Sequence, residues 1–233
     1  MHDGRPDLWG VWANLDRVRA NLNQPLLKGW REQHLNALAG DLDKPLEFPG
    51  EAGDVMRRCS ENAQMLGFAH VLTGDGRFAR RGIQALECML ENDQRWDCIA
   101  HNEMYPRDTA DLITSEVTKD TASALNFLWP ELGPGLRGEL VSLIAQRGGK
   151  PIYDGAVAGC WWGNALNSNW TAVLNSGPAF AALVLRESDP GFPATGESAG
   201  EHPAVLPGRV RSERVVACDA VRPASSSIRK HRR

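Results

Sequence analysis

Apolar residues recur every three or four positions along most of the first 187 residues, and Gly or Pro breaks the runs, so the chain reads as a series of helices. No stretch shows convincing strand alternation, and the expected class is all-α. A segment from about Leu8 to Leu22 precedes Pro25, a helix-start proline that opens a second segment to about Leu42, and a loop follows from Pro45 to Gly53. From Asp54 one stripe runs Met56, Cys59, Ala63, Leu66, His70 and another Met65, Phe68, Leu72, so this helix is apolar on more than one side and expected between neighbours. After the turn Thr73-Gly74-Asp75-Gly76 the period resumes at Ala79, Ile83, Leu86 and Leu90, completing a helical hairpin. A second pair runs through Ile113, Val117, Ala124 and Leu128 to Pro130, then Leu136, Leu140, Leu143 and Ile144 to Gly148-Gly149, a C-cap signal. The last regular helix follows Ser168 or Asn169 as its cap, with Trp170, Val173, Leu174, Gly177, Ala181, Val184 and Leu185 on one stripe and Pro178 as a kink.

Successive hairpins without strong sequence repetition fit an incomplete α/α toroid over residues 6–187, each hairpin burying its apolar face on the next. From residue 188 to 233 the composition turns to Pro, Ser, Gly and Arg, which predicts a disordered tail or a shifted reading frame. That tail carries eight Lys/Arg against five Asp/Glu, leaving 18 against 24 in the body. Its one basic cluster, Arg229 to Arg233, is a weak nucleic-acid signal, and the formal net charge of -3 directs the chain to neither nucleic acid nor an anionic membrane. No membrane span is expected, because nowhere do about 18 apolar residues follow one another. No signal-peptide run opens the chain, so it reads as cytoplasmic as written, or periplasmic or secreted if the true start is missing.

The five cysteines, Cys59, Cys88, Cys98, Cys160 and Cys218, form no C-x-x-C pair and have no histidine at zinc-finger spacing, so buried free thiols are expected, with no metal and no cofactor. Eight tryptophans against two tyrosines is an unusual balance, and Trp161, Trp162 and Trp170 surround the turn before the last helix. Flat aromatic faces stack on sugar rings with little entropy lost, although helix packing is the commoner duty of a single tryptophan. His101-Asn102-Glu103 and Asp108-x-x-Asp111 gather polar groups before the helix at Ile113. They read as solvated loop and cap, with Asp111 or Thr109 as the cap, rather than as a hydrolytic carboxylate pair. His70, on an apolar stripe, reads as a satisfied core histidine.

The segment Ser168-Asn169-Trp170 running into Ala/Leu-rich helix resembles the Asn-Trp helix of heparinase II/III-like polysaccharide lyases. The layout of Pro6 to Leu46 and of Leu66 to Trp129, with a Thr-Gly-Asp turn and the Asp-Leu-x-Thr-x-Glu start at Asp111 to Glu116, is similar to their N-terminal toroid. The resemblance implies β-elimination on an acidic, uronic-acid-containing polysaccharide. There the carboxylate is neutralised, a base removes the C5 proton and the leaving oxygen is protonated. Asn169 then matches the neutralising amide, Asn167 and Asn175 are alternatives, and Trp161, Trp162 and Trp170 line the sugar. Nothing in the chain matches the family's tyrosine and histidine. Tyr105 and Tyr153 lie in loops before the matched helix, and His202 and His231 lie in the tail. Leu174 and Pro178 also depart from the motif. The alternative is therefore a non-catalytic helical repeat that binds carbohydrate or protein. An unfinished toroid would also leave an apolar face free for self-association.

Overall fold

The computed structural model describes residues 6–48, 50, 52–92, 95–105, 108–165, 167–188 and 216–217. Helices α1 (Leu15–Leu22) and α2 (Pro25–Asp41) precede α3 (Ala52–Thr73) and α4 (Gly76–Glu91). Short α5 (Ile99–Met104) leads to α6 (Leu112–Leu128), then α7 (Pro134–Leu143), α8 (Lys150–Val157), α9 (Trp161–Asn164) and α10 (Asn169–Ser188). The protein is all-α as expected. Its strands are a two-residue antiparallel pair, β1 (Glu47–Phe48) with β2 (Val216–Ala217), which reaches into the segment expected to be irregular. The remaining tail features, His202, Cys218, His231 and the Arg229 to Arg233 cluster, lie outside the described residues.

Helices α3, α6 and α10 form one row, with α6 in the middle, and α4 and α7 pack beside that row. Arg57 approaches Glu116 at one end of α3 and α6, while Gly67 abuts Phe127 and Leu128 at the other, so the two helices run parallel. The α3–α4 pair is an antiparallel hairpin, since Cys59 meets Cys88 and Gly82 meets Ala63 and Leu66. Its turn is built by Gly74, whose φ of +73° suits a residue without Cβ and whose N–H closes on the His70 carbonyl at 2.7 Å. Asp75 then caps α4 by accepting from the Arg77 N–H at 2.9 Å. His70 is satisfied as expected, with Nδ1 3.2 Å from the Asp75 carbonyl oxygen and Nε2 3.4 Å from Glu131.

Helix α6 is buried almost throughout although it carries five hydroxyl side chains in thirteen buried positions. Those hydroxyls do not face the core unpaired. Thr118 donates to the Thr114 carbonyl at 2.6 Å, Thr121 to Val117 at 2.7 Å and Ser123 to Lys119 at 2.8 Å, which satisfies each inside its own helix. Around α6, Met56, Leu86, Leu125, Leu128, Leu140 and Ile144 are sealed from solvent, and each such side chain contributes about 1.5–3 kcal/mol of burial.

Glycines set the helix separations. At Gly177 an added Cβ would strike Ser115 Oγ and lie 2.6 Å from the Ser115 carbonyl oxygen. Ser115 Oγ donates to the Val173 carbonyl at 2.6 Å and accepts from the Gly177 N–H at 3.1 Å, placing a hydroxyl of α6 between two groups of α10 one residue before Pro178. The neighbouring helix thereby supports the proline-containing turn, a documented setting for helix irregularity.

Gly148-Gly149 does not end a helix. The chain continues from α7 through a π-turn at Ile144–Gly149 directly into α8. Neither glycine has positive φ, and a Cβ on Gly148 would collide with Thr118 Oγ1 and lie 2.9 Å from the Trp96 ring. The residue type answers a close approach, which looks like a stop signal when only the sequence is read. Helix α8 also moves Tyr153 from the expected loop onto a helix, half exposed. At the other end the helical part of the first segment begins at Leu15, and residues 8–14 form turns that cross α6. There the Leu8 N–H donates to Asn126 Oδ1 and Trp12 Nε1 to the Asn126 carbonyl. Cys59 and Cys160 are buried free thiols as expected, whereas Cys98 is free but only partly buried and Cys88 is disulfide-bonded. Apolar side chains remain in solvent at Leu26 and Trp30 on α2 and at Val157 on α8.

Gly177→Ala is expected to lose about 1–3 kcal/mol by overpacking, read as a lower urea midpoint. Gly138→Ala in α7, where a Cβ meets nothing within 4 Å, is expected to gain about 0.5–1 kcal/mol. Equal midpoints for the two variants would contradict the close α6–α10 contact.

Candidate functional site

The N-terminal ends of α6 and α10 hold the polar loops together. Asp111 caps α6 in a reciprocal box: its Oδ1 accepts from the Thr114 N–H at 3.0 Å while Thr114 Oγ1 accepts from the Asp111 N–H at 3.2 Å. Its second oxygen accepts from the Cys98 N–H at 2.7 Å, which fastens the start of α5 to the start of α6. Thr171, in the first turn of α10, is close to both the Trp162 carbonyl (2.6 Å) and the Ala165 carbonyl (2.8 Å), binding α9 to α10. Thr109 Oγ1 donates to the Pro151 carbonyl, which adds α8 to the same cluster.

The ties bring four aromatic rings into a series. Tyr105 packs on His101 with centroids 5.0 Å apart, His101 on Trp170 at 5.0 Å, and Trp170 on Trp161 at 5.2 Å, with planes tilted by 33°, 32° and 47°. Each of the two inner rings, His101 and Trp170, packs on two of the others. The two end rings, each packed on one other, are the exposed ones, Tyr105 at 42% and Trp161 at 43%. A sugar ring can therefore stack at either end, while Trp170 holds the series together.

His101 does not belong to a solvated loop. Helix α5 carries it inward, where its side chain is 11% exposed and its Nε2 is 3.0 Å from Asp108 Oδ2, itself 6% exposed. Nδ1 has no hydrogen-bond partner among the described residues. Cys160 lies against the same carboxylate: burial pushes its thiol pKa up, and hydrogen bonding to Asp108 raises it further. The two aspartates read from sequence as one group thus have separate duties, Asp111 in the cap and Asp108 on the histidine, and neither is free to pair with the other for hydrolysis.

Asn169 begins α10 and is exposed. Ser168 performs the capping, since its Oγ accepts from the Trp170 N–H at 3.2 Å, and the Asn169 amide makes no hydrogen bond among the described residues. It stands one residue from the ring that contacts His101. Asn167 is likewise exposed. Asn175 is exposed too, but its amide donates to the Thr171 carbonyl at 2.7 Å, more than a turn along the helix from Asn169.

Trp162 corrects the expected sugar wall. It is 1% exposed and packs in a small core with Ala110, Ile152, Cys160 and Leu174, its ring reaching the space where Gly155 lacks a Cβ. Adjacent tryptophans on a single helical turn point in different directions, so only Trp161 faces outward. The His101–Asp108 pair was missed in the sequence because no periodic signal marks a six-residue helix, and a seven-residue separation along the chain does not define a distance. Among the described residues, no group of three or more His, Cys, Asp or Glu is placed to hold a metal, and no helix is long and apolar enough to cross a membrane.

At neutral pH a thiol reagent is expected to modify the half-buried Cys98 first, leaving Cys160 unreacted until higher pH because its raised pKa disfavours the thiolate. Peptide mass spectrometry reads the order, and equal labelling of the two would contradict the buried Cys160–Asp108 contact. No protein-family model matches the chain, and no curated protein matches it either.

Proposed function

We propose that this face binds a uronic-acid-containing polysaccharide and acts on it by β-elimination, in the manner of the heparinase II/III-like lyases that the sequence resembles. One observation carries the reading. Asn169 offers an exposed amide, relieved of capping by Ser168, one residue before Trp170 of a ring series whose two end rings are exposed. A primary amide donates to a carboxylate without adding a charge of its own, and at the start of a 20-residue helix the backbone dipole favours the same anion. Trp161 at one end and Tyr105 at the other supply stacking faces, and Asn167 lies next to the same turn.

Incubation of the full chain with heparan, alginate and hyaluronan is expected to raise the ultraviolet absorbance of unsaturated uronate on one of them, without added metal. Asn169→Ala is expected to cut that rate about 100-fold, the loss typical of one donor to a developing oxyanion. Trp161→Ala is expected to weaken binding by about tenfold, one ring's stacking energy. Binding by calorimetry with no absorbance change on any polymer would leave the non-catalytic carbohydrate-binding reading, and no binding at all would remove both.

A further inference from the structure

We infer that His101 is the group that takes the proton from the bound sugar, with Asp108 as its positioning residue. The inference rests on the proposed uronate site and adds to it the base for which the sequence holds no counterpart to the family's residues.

The geometry decides which nitrogen can act. Asp108 Oδ2 lies 3.0 Å from Nε2, and both side chains are nearly buried, so a carboxylate in that place holds the ring proton on Nε2. The lone pair is then left on Nδ1, which has no partner among the described residues. Tyr105 and Trp170 both pack on the ring with centroids 5.0 Å away, which restrains its plane. A histidine serving only to fill space has no need of a buried carboxylate on one nitrogen and an unused lone pair on the other. Cys160 also hydrogen-bonds Asp108, and burial and that bond push its thiol pKa up, so it supplies the carboxylate with a second donor.

The step balances without a cofactor. Nδ1 forms a bond to the C5 proton, the C5–H electron pair becomes the C4–C5 double bond, and the C4–O bond breaks with its pair on the departing oxygen. That oxygen takes a proton from water, which reaches the exposed rim at Trp161 and Tyr105. Asn169 holds the carboxylate as negative charge moves onto it. The imidazolium formed is stabilised by Asp108 and returns its proton to solvent.

The test uses the full chain and whichever uronate oligosaccharide, from heparan, alginate or hyaluronan, it binds in calorimetry. In heavy water, wild type is expected to yield unsaturated product or deuterium at C5 by NMR. His101→Gln and Asp108→Asn are expected to bind within about threefold of wild type while losing at least about 100-fold in turnover. The Asp108→Asn loss is expected in kcat rather than KM, because an amide can donate to Nε2 and so shifts the ring proton to Nδ1. Because Asp108 is buried, circular dichroism and retained oligosaccharide binding establish that each variant is folded. His101→Gln supplies the result by itself if Asp108→Asn does not fold. Binding without product or exchange in wild type, or full turnover in His101→Gln, overturns this inference and leaves the sugar site standing. Absence of binding in wild type overturns the sugar site and the inference with it.

Discussion

The burial of α6 between α3 and α10 is the constraint on which the other placements depend. A helix covered on nearly all sides has to leave no hydroxyl unsatisfied, and Thr118, Thr121 and Ser123 meet that demand by donating to carbonyls one turn back. Ser115 reaches out into the neighbouring helix between Val173 and Gly177, and Thr121 also meets Met89 Sδ of α4 at 3.8 Å. Because these bonds are internal or directed at a specific neighbour, the hydroxyls can be enclosed at little cost, and Gly67, Gly148 and Gly177 let the helix's partners approach closely.

Close packing along the row determines what gathers at its end. With the starts of α6 and α10 side by side, the loops leading into them are forced to share one region, and their polar groups must find partners there. Asp111 is committed to two backbone segments, Thr171 to two carbonyls of the α9 turn, and Ser168 to the first turn of α10. Among the described residues, the Asn169 amide, His101 Nδ1 and the exposed rings of Tyr105 and Trp161 remain uncommitted. Each is a group able to meet a ligand, left free by neighbours that perform the structural work.

Much of the helical order was legible in the residues. Pro25 opened α2, the stripe from Met56 to His70 lay in α3, Asp111 capped α6, and the apolar steps from Trp170 to Leu185 lay in α10. Those signals are local, since capping and 3.6-residue periodicity act within a turn or two of the chain. The Gly148-Gly149 pair misled for the same reason. A glycine that allows positive φ and one that makes room for a neighbouring helix look identical until the neighbour is in place.

The sequence by itself determined the all-α class, the hairpin at Thr73 to Gly76 and an asparagine at the head of the final helix, all consequences of short-range conformational preference. Only the tertiary structure decided that Trp161 faces solvent while Trp162 fills a core, that Ser168 rather than Asn169 caps α10, and that His101 meets Asp108. The physical reason is that these outcomes depend on which surfaces the packed helices cover. Covering is set by contacts between residues far apart in the chain, which no local pattern encodes.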